Sequence, residues 1–142
     1  MFYEFAVTVP KNTAASSPIL AHAYLDPGVV TRVSVQFPHG CFGLVHAAVR
    51  RGVHQVWPSN PDGSITANNE SVTWDEQHPL DEEPYRLTLV AWSDDDTFSH
   101  TVTFRFAVLP AARADEQRAA LNALLYLDRW FRGAGAAIQG GA

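Results

Sequence analysis

The feature that most constrains this chain is a period of two that runs through most of its length. In Val29-Val30-Thr31-Arg32-Val33-Ser34-Val35-Gln36-Phe37, positions 29, 33, 35 and 37 are apolar while 32, 34 and 36 are polar. That is the alternation of a strand with one buried face, and it predicts Val29, Val33, Val35 and Phe37 on the inner side. Noisier versions cover Phe2 to Val9, Ile19 to Leu25, Gly43 to Arg50, Val53 to Trp57, Ser71 to Asp75, Tyr85 to Trp92 and Phe98 to Leu109. About eight strands follow from this pattern.

The segments between them carry turn chemistry. Asn60-Pro61-Asp62-Gly63 places proline where its fixed φ suits a type I turn and glycine where a positive φ is expected. Ser93-Asp94-Asp95-Asp96-Thr97 lies between two patterned runs and reads as the solvated tip of a hairpin. Asp26-Pro27-Gly28 and Pro38-His39-Gly40 bracket the Val29 to Phe37 strand. Strands at such intervals predict an antiparallel β-sandwich over residues 1–110, jelly-roll or immunoglobulin-like, rather than βαβ units. At 142 residues there is room for one such domain and no second.

Beyond Pro110 the pattern changes. Ala111 to Arg132 is rich in Ala, Leu, Arg and Gln without internal Gly or Pro, which predicts one helix capped at Gly133. Residues 133–142 are uncharged and rich in Gly and Ala, which predicts an extended arm. On the helix, Ala120, Leu121, Leu124, Leu125, Leu127 and Phe131 fall within one arc of about 160°. Tyr126 and Trp130 fall opposite, four residues apart so that their rings are expected to adjoin, beside Asn122 and Arg129. Two apolar faces imply two partners. The residues expected to bind them are Leu121, Leu124, Tyr126, Leu127, Trp130 and Phe131, with Ile138 on the arm.

Charge narrows the function classes. The net charge is −5 with a single lysine, Lys11, which leaves little for phosphate binding, so nucleic acid is excluded as a partner. Residues 1–110 carry six basic and twelve acidic side chains, whereas 111–142 carry four and three. No apolar run is long enough to span a bilayer, and Met1-Phe2-Tyr3-Glu4 does not begin a signal peptide, so a product of the cytosol is expected.

Motifs for catalysis are missing. There is no Gly-x-Ser-x-Gly elbow, P-loop or dinucleotide fingerprint. Cys41 sits between apolar runs with no basic neighbour, which suits a buried, inert thiol, and its spacing from His46 on an extended segment points the two apart. His46, His54 and His100 lack close ligand spacing, and Asp94-Asp95-Asp96 and Asp81-Glu82-Glu83 lack the pattern of a calcium loop. Neither enzyme activity, nor a metal, nor a cofactor is expected. A hydrolase would instead need a cleft with a carboxylate pair or a His/Asp pair in reach. Trp57, Trp74 and Trp92 allow an alternative, a carbohydrate-binding or adhesion module, provided that they form an exposed row rather than core.

Three segments carry a resemblance. Val9-Pro10-Lys11-Asn12-Thr13, the run Val35 to His46 and the run His54 to Ser64 resemble a small all-β family of uncharacterised proteins found in phage and phage-like gene sets. The likeness covers roughly residues 1–110. It implies a virion structural component: a capsid decoration, neck or fibre-attachment protein, assembled from the host's cytoplasmic pool by contacts with copies of itself and with other shell proteins. It implies no catalytic residues.

Overall fold

The computed structural model describes residues 1–140, with side chains described through Gly133. Eight strands are followed by one helix: β1 Phe2–Val9, β2 Ile19–Tyr24, β3 Gly28–Phe37, β4 Val45–Arg51, β5 His54–Trp57, β6 Glu70–Leu80, β7 Arg86–Ser93, β8 His100–Pro110 and α1 Ala111–Gly140. They form two four-stranded sheets, ordered β1-β8-β3-β6 and β2-β7-β4-β5. All the pairings are antiparallel.

In this order β1 pairs with β8, β2 with β7, β3 with β6 and β4 with β5. A long hairpin rolled up in this way is the jelly roll, and the strand order settles that topology over the immunoglobulin-like one. Inward residues of both sheets meet in one core. Val33, Val35 and Phe37 of β3 and Val102, Phe104 and Phe106 of β8 face Leu87, Leu89 and Ala91 of β7 and Val45, Ala47 and Val49 of β4. Trp57 closes one side, edge-on to Trp74 and His78 and 6.2 and 5.3 Å from their ring centroids.

Three local expectations are corrected. On β3 the buried residue is Val30, not Val29, because both ladders of this strand shift register between Val30 and Arg32. An extra residue in a strand reverses which side chains face inward on either side of it. The segment 93–97 is no hairpin tip, since β7 and β8 lie in different sheets and the chain crosses between them there. At the Asn60 to Gly63 turn the Gly63 N–H does donate to the Asn60 carbonyl at 2.9 Å, but Gly63 does not take a positive φ. A Cβ at this position would lie 2.2 Å from Nδ2 of Asn60, so that exposed side chain would have to turn aside.

The helix does not stop at Gly133 but continues to Gly140, so the extended arm expected over 133–142 is helical over most of its length. Ala134, Ala136 and Ala137 are the best helix formers, whereas each glycine there costs roughly 1 kcal/mol relative to alanine. Residues 141 and 142 lie outside the described residues. At the root of the helix the Ala111 N–H donates to the Pro27 carbonyl at 3.1 Å. Beside it Gly28 runs so close to Leu109 that a Cβ would sit 2.1 Å from its carbonyl oxygen.

Among the described residues one buried polar atom is left unsatisfied. The Nε2 atom of His78 is buried without a hydrogen-bond partner. Burial pushes the pKa of this imidazole down and Arg51 adds to that, while Glu76 and Asp81 oppose it. A base whose folded pKa is lowered takes up its proton more readily in the unfolded chain, so stability is lost as pH falls from about 6.5 through the lowered value. The urea midpoint should therefore drop between pH 7.5 and pH 5, and His78→Phe should shrink that drop; an unchanged difference would contradict the assignment. Phe104→Ala, which empties the centre of β8, should cost about 3–5 kcal/mol in the same assay.

Candidate functional site

The residues that the sequence marks for partner binding all stand on α1, and those with described side chains, Leu121 to Phe131, are exposed. Among the described side chains of α1 only Ala111 and Ala114 are partly buried, and every residue from Asp115 to Gly133 is exposed. Leu124 is 65%, Tyr126 69% and Trp130 59% exposed, and Leu121, Leu127 and Phe131 are similar. The Trp130 ring meets Phe131 edge-on at 5.1 Å, so its aromatic neighbour is Phe131 rather than the expected Tyr126. Ile138 lies outside the described side chains. The helix is held in part by its own ion pairs, Arg132 to Asp128 at 3.1 Å and Arg118 to Asp115 at 3.9 Å. Exposed pairs of this kind contribute only tenths of a kcal/mol. The described part of α1 thus holds a run of large apolar side chains in water.

A second site, which the sequence reading missed, lies at the opposite end of the sandwich. A cleft of about 640 Å³ opens between the loop after β3 and the loop before β8, lined among others by His39, Phe42, Leu44, Asp96, Phe98 and His100. Its first wall is strained. Phe42 has a φ of 47°, in the left-handed region that a bulky residue rarely enters, between Gly40 at 101° and Gly43 at 75°. Asn68 fixes it, since its Oδ1 accepts the N–H groups of Gly40 at 2.9 Å and Phe42 at 3.1 Å. Cys41 in the same loop is fully buried, and burial together with nearby Asp95 pushes its pKa up, which keeps the thiol unreactive.

The second wall is organised by Asp95. Of the three consecutive aspartates it alone turns inward, and its Oδ2 meets Nε2 of His100 at 2.7 Å. Its Oδ1 accepts the N–H groups of Thr97 at 2.8 Å and Phe98 at 3.3 Å, and its carbonyl accepts that of Asn12 at 2.8 Å. The bond from His100, followed by that from Thr97, holds the carboxyl below the usual carboxylate range. A His/Asp pair in a cleft is what a hydrolase would require. Here the carboxylate's remaining bonds also tie down its own loop.

A further chain of polar groups lies on the outward side of β4. His46 stacks on Trp92 with ring centroids 5.1 Å apart, and it joins Ser64 Oγ to Nδ1 at 2.8 Å and Asp94 Oδ2 to Nε2 at 2.9 Å. The residue types are those of a nucleophilic triad, but serine and aspartate occupy the opposite nitrogens from the usual ones. Asp94 is also largely in water, where a carboxylate orients a histidine only weakly. The chain ties the segment before β6 to β4 and to the loop after β7. Among the described residues no three His, Cys, Asp or Glu side chains gather as metal ligands. The tryptophans form no row: Trp57 is 3% exposed in the core, Trp74 is on β6 and Trp92 on β7 of the other sheet. No described helix is long and apolar enough to cross a membrane.

No protein-family model matches this chain, and no curated protein matches it. Among solved structures, a protein of the Bacillus endospore appendages, a family of disulfide-linked pili, is 15% identical with a TM-score of 0.32, over 76% of this chain and 89% of that one. A family two carbohydrate esterase from Cellvibrio japonicus is 10% identical with a TM-score of 0.31, over 78% of this chain and 36% of its own length. Neither likeness transfers a residue or an activity.

If Asp95 is the strut of the cleft, its contribution is present above the ordinary carboxylate pKa of about 3.9 and is lost as pH falls through the lowered folded value. Asp95→Asn should speed hydrogen exchange at the Thr97 and Phe98 amides at neutral pH while leaving the amides of β3 protected. Equal exchange in the variant and the parent would remove that role.

Proposed function

We propose that this chain is a non-enzymatic structural component of a virion, a capsid-decorating, neck or fibre-attachment protein that works through protein–protein contacts. The observation that carries the reading is the helix: its large apolar side chains from Leu121 to Phe131 are about half or more exposed. The jelly roll supports it by analogy, because viral capsid domains use this architecture, although lectins and cupins use it as well. The resemblance of residues 1–110 to a phage-associated family points the same way. In this reading the rigid sandwich covers surface and the helix binds copies of the chain and neighbouring shell proteins, after assembly from the host's cytoplasmic pool. The net charge of −5 argues against nucleic acid as the partner.

Sedimentation velocity tests the reading. The purified chain should associate in a concentration-dependent way, and Trp130→Ala should weaken association by about 2 kcal/mol with an unchanged melting temperature. A chain that stays monomeric throughout, or a variant that melts early, would count against it. The non-enzymatic part has its own check: a fluorophosphonate probe should leave Ser64 unlabelled, and labelling that His46→Ala abolishes would make the Ser64–His46–Asp94 chain a hydrolytic site.

A further inference from the structure

We propose that the segment Arg129-Trp130-Phe131-Arg132 on the helix of one copy docks in the cleft between the 38–44 and 95–100 loops of a second copy, a head-to-tail contact. This rests on the reading of α1 as the self-association element and names the surface that receives it.

The cleft is built to display apolar groups. Phe42 is 68% and Phe98 66% exposed, and Leu44 also lines the cleft. A bulky residue in left-handed conformation persists only where its surroundings enforce it, and here the two Asn68 bonds do so at the cost of holding a phenyl ring in water. The volume of about 640 Å³ is within the range of sites that enclose a ligand, large enough for a tryptophan with a neighbouring ring. The rim is acidic, with the exposed Asp96 on the cleft and the exposed Asp94 next to it.

The helix segment is the complement of that surface. Trp130 and Phe131 are exposed and packed against each other, and Arg129 and Arg132 flank them. The charge division in the sequence has the same sense: an acidic body and a helix with a basic excess. Aromatic and arginine side chains are the types that dominate interface energetics, and opposite charge around an apolar centre fixes their orientation.

In its own chain the segment does not fill the cleft, since Trp130 and Phe131 on the helix and Phe42 and Phe98 at the cleft are all exposed. The cleft lies at the start of β8 and the helix leaves from the end of that strand, 11 residues on. At about 3.3 Å per residue the two are roughly 35 Å apart. A patch on the helix that fits a cleft elsewhere on the same chain makes a heterologous contact, which repeats into a ring or a filament.

The test uses full-length variants. Phe42→Ser/Phe98→Ser removes the cleft's apolar mouth, and Arg129→Glu/Trp130→Ser removes the helix anchor. Each alone should sediment as a monomer, whereas an equimolar mixture should form a dimer that grows no further, since one intact cleft and one intact helix remain. Asp96→Arg, at an exposed site, should weaken association of the otherwise native chain roughly tenfold, and adding Arg129→Glu to the same chain should restore it. That pair decides the matter if the phenylalanine variant does not fold. Association of the cleft variant at wild-type strength would overturn the proposal in favour of helix–helix pairing and leave the proposed function standing. A mixture that stays monomeric would also overturn it. A monomeric wild-type chain would overturn both.

Discussion

Six of the seven connections between strands pass from one sheet to the other, and only β4 and β5 are joined within a sheet. Each crossing must turn the backbone over the end of a hydrophobic core without stranding its polar groups there, and that requirement shapes both ends of the molecule. At one end the chain meets it with side chains: Asn68 receives two N–H groups of the loop after β3, and Asp95 receives two of the loop before β8. At the other end the chain bonds to itself, Leu25 to Tyr85 and Ala111 to Pro27, which anchors the root of the helix. The cleft and the helix thus sit at opposite ends because the rolled hairpin puts the loop before β8 and the exit from β8 there.

The local part of this was readable in the residues. Alternation at Val33, Val35 and Phe37, the change at Pro110 and the apolar arc from Leu121 to Phe131 depend only on near neighbours in the chain, and strands, helix and exposed helix residues follow from them. What was not readable depends on distant partners. Thr31 looks like any strand residue until the register of both flanking ladders shows the shift beside it, and that shift decides whether Val29 or Val30 is inside. Ser93 to Thr97 has hairpin composition, but a hairpin requires β7 and β8 to be neighbours. Once they are in separate sheets, the middle aspartate is drawn inward to His100. An aspartate followed two residues later by a threonine and five later by a histidine was the available signal, and an acidic run masked it.

Chemistry-bearing residues are present, and their surroundings decide what they do. The buried His100–Asp95 pair has the composition of a catalytic dyad, yet the loop's own amides take up the carboxylate. The Ser64–His46–Asp94 chain has the composition of a triad, yet it lies beside water and bridges three segments of the fold. By contrast, Trp130, Phe131, Phe42 and Phe98 make few contacts within the chain and hold large apolar areas in solvent. The unfavourable free energy of that exposure would be the driving force of the proposed assembly.

Hydrogen exchange along α1 measures that driving force most directly, as a function of protein concentration. A helix without tertiary cover opens easily, whereas one seated in a partner is protected. The account predicts that amides from Leu121 to Arg132 exchange rapidly in dilute, monomeric protein and become strongly protected as the chain associates, while the amides of β3 and β8 do not change. Helix amides equally exposed at every concentration, in a chain shown to associate, would place the contact elsewhere and contradict it.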